Sequence, residues 1–490
     1  MNAVALVDQT RALLDLARRE LGPDATAELD AIDARLAEPL RVAIAGKVKA
    51  GKSTLLNALV GELLAPTDTG ECTKVVTWYR DGHTYQVLLY PADGSPPSQT
   101  RFRRDDGAID IELDGRSALD VDRLDVTWPS EGLRQLTLID TPGVDSLTEG
   151  VATRAFEFLD PDESDTPADA VIYLMKHIHS SDLRLLEAFH DDAVSTPNPV
   201  NAVAVLSRAD EIGAGRADSM DSARRIADRL GGDPRLRRLV QMIIPVAGLV
   251  AETGETISER EYRQLAAIAA SDDVDVDLLL LSADRFVEAT PSTPLTAVER
   301  GDLLGRFGLF GVRVAIDMIR SGDVSTSQQL ADRLVDLSGL TELRRVLTTL
   351  FVDRADVLKA RSGLLGIERL CSERAGTAGS DAVLAELERV MASAHPFNEM
   401  VTLAAVRSGW VKGPQAKLVE LEQLLGAVGS SAPQRLGLPA SAAADEIRTA
   451  AFEQLARWQR LAENPLTTHD FATAIRVAIR SLEGIVAGAS

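Results

Sequence analysis

Gly46-Lys47-Val48-Lys49-Ala50-Gly51-Lys52-Ser53 fits the pattern G-x-x-x-x-G-K-[ST] of loops that hold phosphate. Its surroundings suit that reading. The apolar run Val42 to Ala45 before it reads as a short buried strand, and Ser53 to Leu59 after it has helical spacing. Gly46 and Gly51 let the backbone curl so that consecutive N–H groups point at phosphate oxygens, and the following helix adds the positive end of its dipole. Residues 46–53 with Thr54 are therefore the candidate phosphate-binding set. Lys52 is expected to reach the β- and γ-phosphates and Ser53 to bind Mg²⁺.

Outward from this loop, short apolar strands alternate with helical stretches from Arg41 to about Leu249. They are Val75 to Tyr79, Tyr85 to Tyr90, Leu124 to Trp128, Leu136 to Ile139, Val171 to Met175 and Val203 to Leu206. The alternation predicts an α/β domain with a largely parallel, doubly wound sheet. Residues 1 to 40 show helical periodicity broken at Gly22-Pro23. Beyond Ser321 strand signals vanish into Ala-, Leu-, Glu- and Arg-rich helices, which predict an elongated all-α bundle. The 490 residues, 45% hydrophobic, suffice for two or three cored domains. Cys72 and Cys371 cannot make a disulfide framework and suit a reducing compartment. No basic n-region precedes an apolar core, so a secretory signal is not expected, and no run is long enough to span a bilayer. A formal charge of −22 disfavours nucleic acid as a partner.

Leu136 to Ile139 delivers Asp140-Thr141-Pro142-Gly143 at the carboxyl end of a strand, where ligands bind in open α/β sheets. This is the D-x-x-G element of GTPases. Asp140 can hold a water of the Mg²⁺ shell, and the Gly143 N–H can touch the γ-phosphate. After Val203 to Leu206 comes Ser207-Arg208-Ala209-Asp210, in the place of the [NT]-K-x-D element. A carboxylate there accepts from guanine N1–H and N2–H₂, a donor pair adenine lacks, so Asp210 is the expected specificity residue. Arg208 would lie over the ring in place of the usual lysine. Small residues in Pro245-Val246-Ala247-Gly248 would let backbone N–H groups meet guanine O6. Between the two phosphate elements, Thr73 in Glu71-Cys72-Thr73-Lys74 is the choice for a mobile switch threonine, its hydroxyl on Mg²⁺ and its carbonyl on the attacking water. Thr67 and Thr69 compete with it.

Together, the phosphate loop, Thr73, DTPG, the SRAD variant and the helical tail resemble the bacterial dynamin-like GTPases. The motifs cover residues 41 to about 250, and Leu303 to Val312 (LLGRFGLFGV) also resembles a segment near the end of the family's GTPase domain. The resemblance implies GTP and GDP as ligands, Mg²⁺ as cofactor, pairing of GTPase heads into dimers or oligomers, and fission or fusion of membranes. It also implies N-terminal neck helices (1–40), a GTPase domain (41–320), a neck helix (321–340), a trunk (341–462) whose tip touches anionic lipid, and a C-terminal neck helix (463–490). The expected place is the cytoplasm, peripherally on the inner face of the plasma membrane. A GTP-dependent switch acting on a protein or ribosome partner is the alternative, although no basic module for the latter is visible.

Val144 follows DTPG where a Ras-like enzyme places its water-orienting glutamine, so slow intrinsic hydrolysis is expected. Lys49 occupies the fourth loop position, where dynamins usually place a serine that helps hold a monovalent cation. Its ammonium either supplies that charge directly or points to solvent. Two helix breaks could touch lipid: Trp410, Val411 and Lys412, or Arg435, Leu436 and Leu438. A tryptophan at a break favours the first as an interfacial anchor, whereas counting helix direction turns Gly409 to Pro414 inward and favours the second. His177 and His179 lack a third ligand and read as a solvated loop, and Arg101 to Arg104 as a hairpin surface.

Overall fold

The computed structural model describes residues 3–66, 74–105, 108–143, 168–176, 183, 186, 200–289 and 294–488. Its strands are β1 Leu40–Gly46, β2 Val76–Asp81, β3 Gln86–Pro91, β4 Ser98–Gln99, β5 Phe102–Asp105, β6 Ala108–Ile111, β7 Val121–Trp128, β8 Leu136–Asp140, β9 Ala170–Met175, β10 Ala202–Ser207 and β11 Ile243–Val246. Nine of them form one sheet in the order β11-β10-β9-β1-β8-β2-β7-β3-β4, and β5 and β6 pair as a hairpin. The half from β11 to β8 is parallel throughout, β7 runs parallel to β2, and antiparallel pairing enters at β8–β2, β7–β3 and β3–β4. Every residue of β9 and β10 is buried, as expected of parallel strands covered on both faces. β3 alternates between buried and half-buried, which suits a strand near the sheet's edge.

Register collects the candidate residues at one edge. Ile44 lies opposite Asp140, Gly46 opposite Leu174, and Ser207 opposite Val246. The loop 46–53, DTPG and the two candidate base-reading segments thus leave neighbouring parallel strands at their carboxyl ends.

The helical regions pack on the head and on one another. Ala3–Leu21 and Thr26–Ala37 pack with Ala355–Glu373, and Ala378–Ser393 joins Ala3–Leu21 and Ala355–Glu373, so four helices form one layer. Ser327–Leu337, within the expected neck helix, packs on Gly248–Thr256. A Cβ on Gly254 would lie 2.9 Å from Val335, so the glycine permits that approach. Leu340–Leu350 also stays on the head, where the Arg344 guanidinium donates to the Ala58 carbonyl at 2.8 Å. His469–Gly488, within the expected C-terminal neck helix, packs chiefly on Ala444–Ala462 and His395–Arg407. Its apolar stripe of Phe471, Ile475, Ala478 and Leu482 is consumed there.

The two candidate lipid loops differ in what they leave exposed. Arg238 of the GTPase domain stands over the Trp410 ring at 5.1 Å, so this break meets the head, while Val411 is buried. Lys412 is exposed. The second loop turns into the bundle: Leu436 is buried, Leu438 packs against the core, and the Arg435 guanidinium is engaged by Glu399 and the Leu424 carbonyl. Trp410 itself is 48% exposed beside the exposed Lys412, so the first break keeps apolar surface free, whereas Leu436 of the second is covered by protein.

Candidate functional site

The phosphate loop links β1 to the helix Lys52–Val60, and its first helical turn begins with the Leu55 N–H donating to the Gly51 carbonyl at 2.9 Å. The Lys52 ammonium lies back along the loop, 3.3 Å from the carbonyls of Gly46 and Lys47. Burial pushes its pKa down, partly offset by the charge of Asp140. Across the loop, the Ser53 hydroxyl donates to Asp140 Oδ2 at 3.0 Å. The other carboxylate oxygen, Oδ1, is buried without a hydrogen-bond partner. Burial pushes the Asp140 carboxyl up, and Lys52 and Ser53 pull it back.

Gly143 shows why DTPG ends in glycine. A Cβ there would come within 2.7 Å of the Val48 nitrogen, so only a bare Cα lets this segment lie against the phosphate loop. Thr141 fixes the turn by donating its hydroxyl to the Ile44 carbonyl at 3.0 Å. Sequence-distant segments are thus locked into one continuous surface.

Beside it a cleft is lined by Ala50, Gly51 and Thr54 from the loop and its helix, by Leu174 and Val205 from the strands, and by Ser207, Arg208, Asp210, Glu211, Val246, Gly248 and Leu249. Thr54, read from sequence as a phosphate residue, lines this cleft. Asp210 is 8% exposed, and burial pushes its carboxyl up. A desolvated carboxylate of this kind gains most from a paired donor such as guanine N1–H and N2–H₂. The Ser207 hydroxyl is buried and orphaned at the same place.

Two expected contacts differ. Arg208, held in a left-handed conformation (φ 53), donates to Glu211 at 2.6 Å, and Lys176 reaches the same carboxylate at 3.2 Å. Its guanidinium is therefore tethered at the rim. The Ala247 N–H is spent on the Ser338 carbonyl at 2.9 Å, which leaves Gly248 of that pair lining the cleft. Glu211, Leu174 and Leu249 were missed by sequence reasoning. Glu211 adjoins Asp210 in the chain and was detectable, whereas the two leucines looked like any core residue. Thr73 with Thr67 and Thr69, Val144, His177 and His179 lie outside the described residues.

Comparison with known proteins places this geometry. Residues 42–186 match the Dynamin family. Over 465 residues the chain is 36% identical to the isoniazid-induced protein IniC of Mycobacterium tuberculosis (strain ATCC 25618 / H37Rv), covering 95% of this chain and 93% of that one. Over 114 residues it is 35% identical to a bacterial dynamin-like protein of Nostoc punctiforme, covering 21% of this chain and 16% of that one. Among solved structures, an oligomerised bacterial dynamin pair aligns at 13% identity and a TM-score of 0.33, over 100% of this chain and 80% of that one, a likeness too slight to carry argument.

Proposed function

This chain belongs to the dynamin family of GTPases as a bacterial dynamin-like protein, and from that membership we propose that it binds GTP with Mg²⁺, hydrolyses it to GDP and phosphate, and couples association of its GTPase heads to remodelling of an anionic membrane. The observation that supports the nucleotide chemistry best is the Ser53 hydroxyl 3.0 Å from an Asp140 carboxylate whose second oxygen is buried and unpartnered. A hydroxyl beside an orphaned carboxylate oxygen is a donor set that suits a hard cation. Ser53 and Asp140 would hold Mg²⁺, which when bound neutralises charge on the β- and γ-phosphate oxygens.

The chain's own groups account for the rest. Lys52 exchanges its loop carbonyls for the γ-phosphate, and loop N–H groups with that of Gly143 stabilise charge on the phosphoryl oxygens. Thr73 remains the choice for orienting the attacking water. That water attacks the γ-phosphorus, the bond to the bridging oxygen breaks, and the water's proton leaves with the phosphate. Asp210 accepts from guanine N1–H and N2–H₂, and the Gly248 N–H faces O6.

Phosphate release from GTP and from ATP tests this. GTP turnover should far exceed ATP turnover, and equal rates would remove the guanine assignment. Lys52→Ala should lower hydrolysis by roughly a hundredfold or more through lost charge stabilisation. Among the described residues no helix is long and apolar enough to cross a membrane, so attachment at the inner face of the plasma membrane would be peripheral. Co-sedimentation with vesicles of anionic lipid, with and without GTP, addresses it. No sedimentation in either state would remove the membrane part and favour a switch acting on a protein partner.

A further inference from the structure

The helix Ala297–Ser321 contains the segment Leu303 to Val312, to which the nucleotide chemistry above gives no role. The helix is broken at Gly308, whose φ of 64 and ψ of 169 lie in a region essentially reserved for glycine. The break sits against the base cleft. A Cβ at Gly308 would lie 3.4 Å from Leu249 Cδ2 and 3.7 Å from Asp210 Oδ2. Phe307 and Phe310 on either side are buried.

Each half of the helix is anchored separately. Before the break, the Arg306 carbonyl accepts from the Thr253 hydroxyl, and the Arg306 guanidinium donates to Glu261 at 3.0 Å and to the Thr256 hydroxyl at 2.8 Å. After it, Arg313 donates to the carbonyls of Ala214, Gly215 and Leu280, clamping the loop that follows Asp210 and Glu211. The Asp210 carboxylate accepts from its own backbone N–H, and among the described residues no side chain donates to it, so the backbone it is carried on sets its place.

We infer that the break at Gly308, together with the Arg313 clamp, sets the Asp210 carboxylate to read guanine, making Gly308 and Arg313 positioning residues for base choice. This rests on the guanine reading proposed above. A straightened helix would carry its second half, and the loop it clamps, away from the cleft. A methyl group at Gly308 would meet Leu249 and Asp210 only at ordinary contact distance, so the cost of alanine there is its backbone strain, which favours straightening of the break.

The experiment measures dissociation constants of GTP, ITP and XTP. Hypoxanthine lacks the 2-amino group, so the preference for GTP over ITP reports the carboxylate's placement. Gly308→Ala and Arg313→Gln should each weaken GTP roughly tenfold, the scale of one charge-assisted hydrogen bond, and weaken ITP less. Gly305→Ala, at a helical position where a Cβ meets nothing within 4 Å, should bind GTP and ITP as the wild type does. An unchanged GTP-to-ITP preference in Gly308→Ala, whether both weaken equally or neither does, would overturn the inference. If that variant does not fold, the same preference read in Arg313→Gln decides. Asp210→Asn should gain XTP binding. Without that gain the guanine reading itself fails, whereas with it an unchanged preference in Gly308→Ala overturns only the positioning role.

Discussion

Lys49 is exposed in the phosphate loop with a left-handed backbone, φ 61, a conformation costing a side-chain-bearing residue of order 1 kcal/mol. An exposed ammonium there either supplies the charge of a monovalent cation to bound nucleotide or faces solvent, and the cation dependence of hydrolysis separates the two. Hydrolysis should be indifferent to Na⁺ against K⁺, and Lys49→Ser should introduce dependence on the cation. Phosphate release in the two salts measures it, and strong dependence in the wild type would leave Lys49 facing solvent only. The placing of Lys52, Ser53 and Asp210 at the strand ends was legible in sequence because each belongs to a short motif whose geometry is local. Asp140 was legible for the same reason, its hydrogen bond to Ser53 following from strand register. The tether of Arg208 to Lys176 through Glu211, and the loss of the Ala247 N–H to Ser338, depend on partners that no motif names.

Helix boundaries were equally local. Breaks at His395-Pro396, Gly409 to Pro414 and Asn464-Pro465 follow from proline's missing donor and glycine's freedom, and the helices start and stop there. Which helix meets which was not readable, because an apolar stripe at 3.6-residue spacing states that it will be buried without stating against what. The network around Glu399 shows the consequence. His395 lies one turn before it at 3.3 Å, while Arg435 and Ser481 come from other helices. Burial alone would push the Glu399 carboxyl up. The hydrogen bond from His395, the charge of Arg435 and the Ser481 hydroxyl hold it at about 2, below its ordinary 4.5. A depressed carboxylate stabilises the fold fully above pH 4.5, and that contribution is lost as pH falls from 4.5 towards 2. Glu399→Gln should destabilise the helical region by about 3 kcal/mol at neutral pH, leaving Arg435 buried without its counter-charge. It should also flatten the loss of stability between pH 4.5 and 2. Thermal unfolding at several pH values checks both, and wild-type acid sensitivity in the variant would remove Glu399 as its source.

At the scale of the molecule, Val144 in the glutamine's place leaves water positioning to be completed from elsewhere, and pairing of two heads across the nucleotide would do so by ordering Thr73. Specific GTPase activity should then rise with protein concentration or on anionic vesicles, and a strictly concentration-independent rate would remove head pairing. The stacking of Arg238 on Trp410 joins the helical region to the head, a contact that counting helix directions anticipated only as an inward turn. Sequence alone determined the α/β fold and the placing of residues 46–53, Asp140 and Asp210 at neighbouring strand ends, because each of these segments follows its strand directly in the chain. Only the tertiary structure decided that Ser327–Leu337 stays on the head, that Leu436 and Val411 are buried, and that Gly308 backs Asp210. Those outcomes come from close packing between segments distant in the chain, and the energy of such contacts is a property of the pair and is written in neither segment by itself.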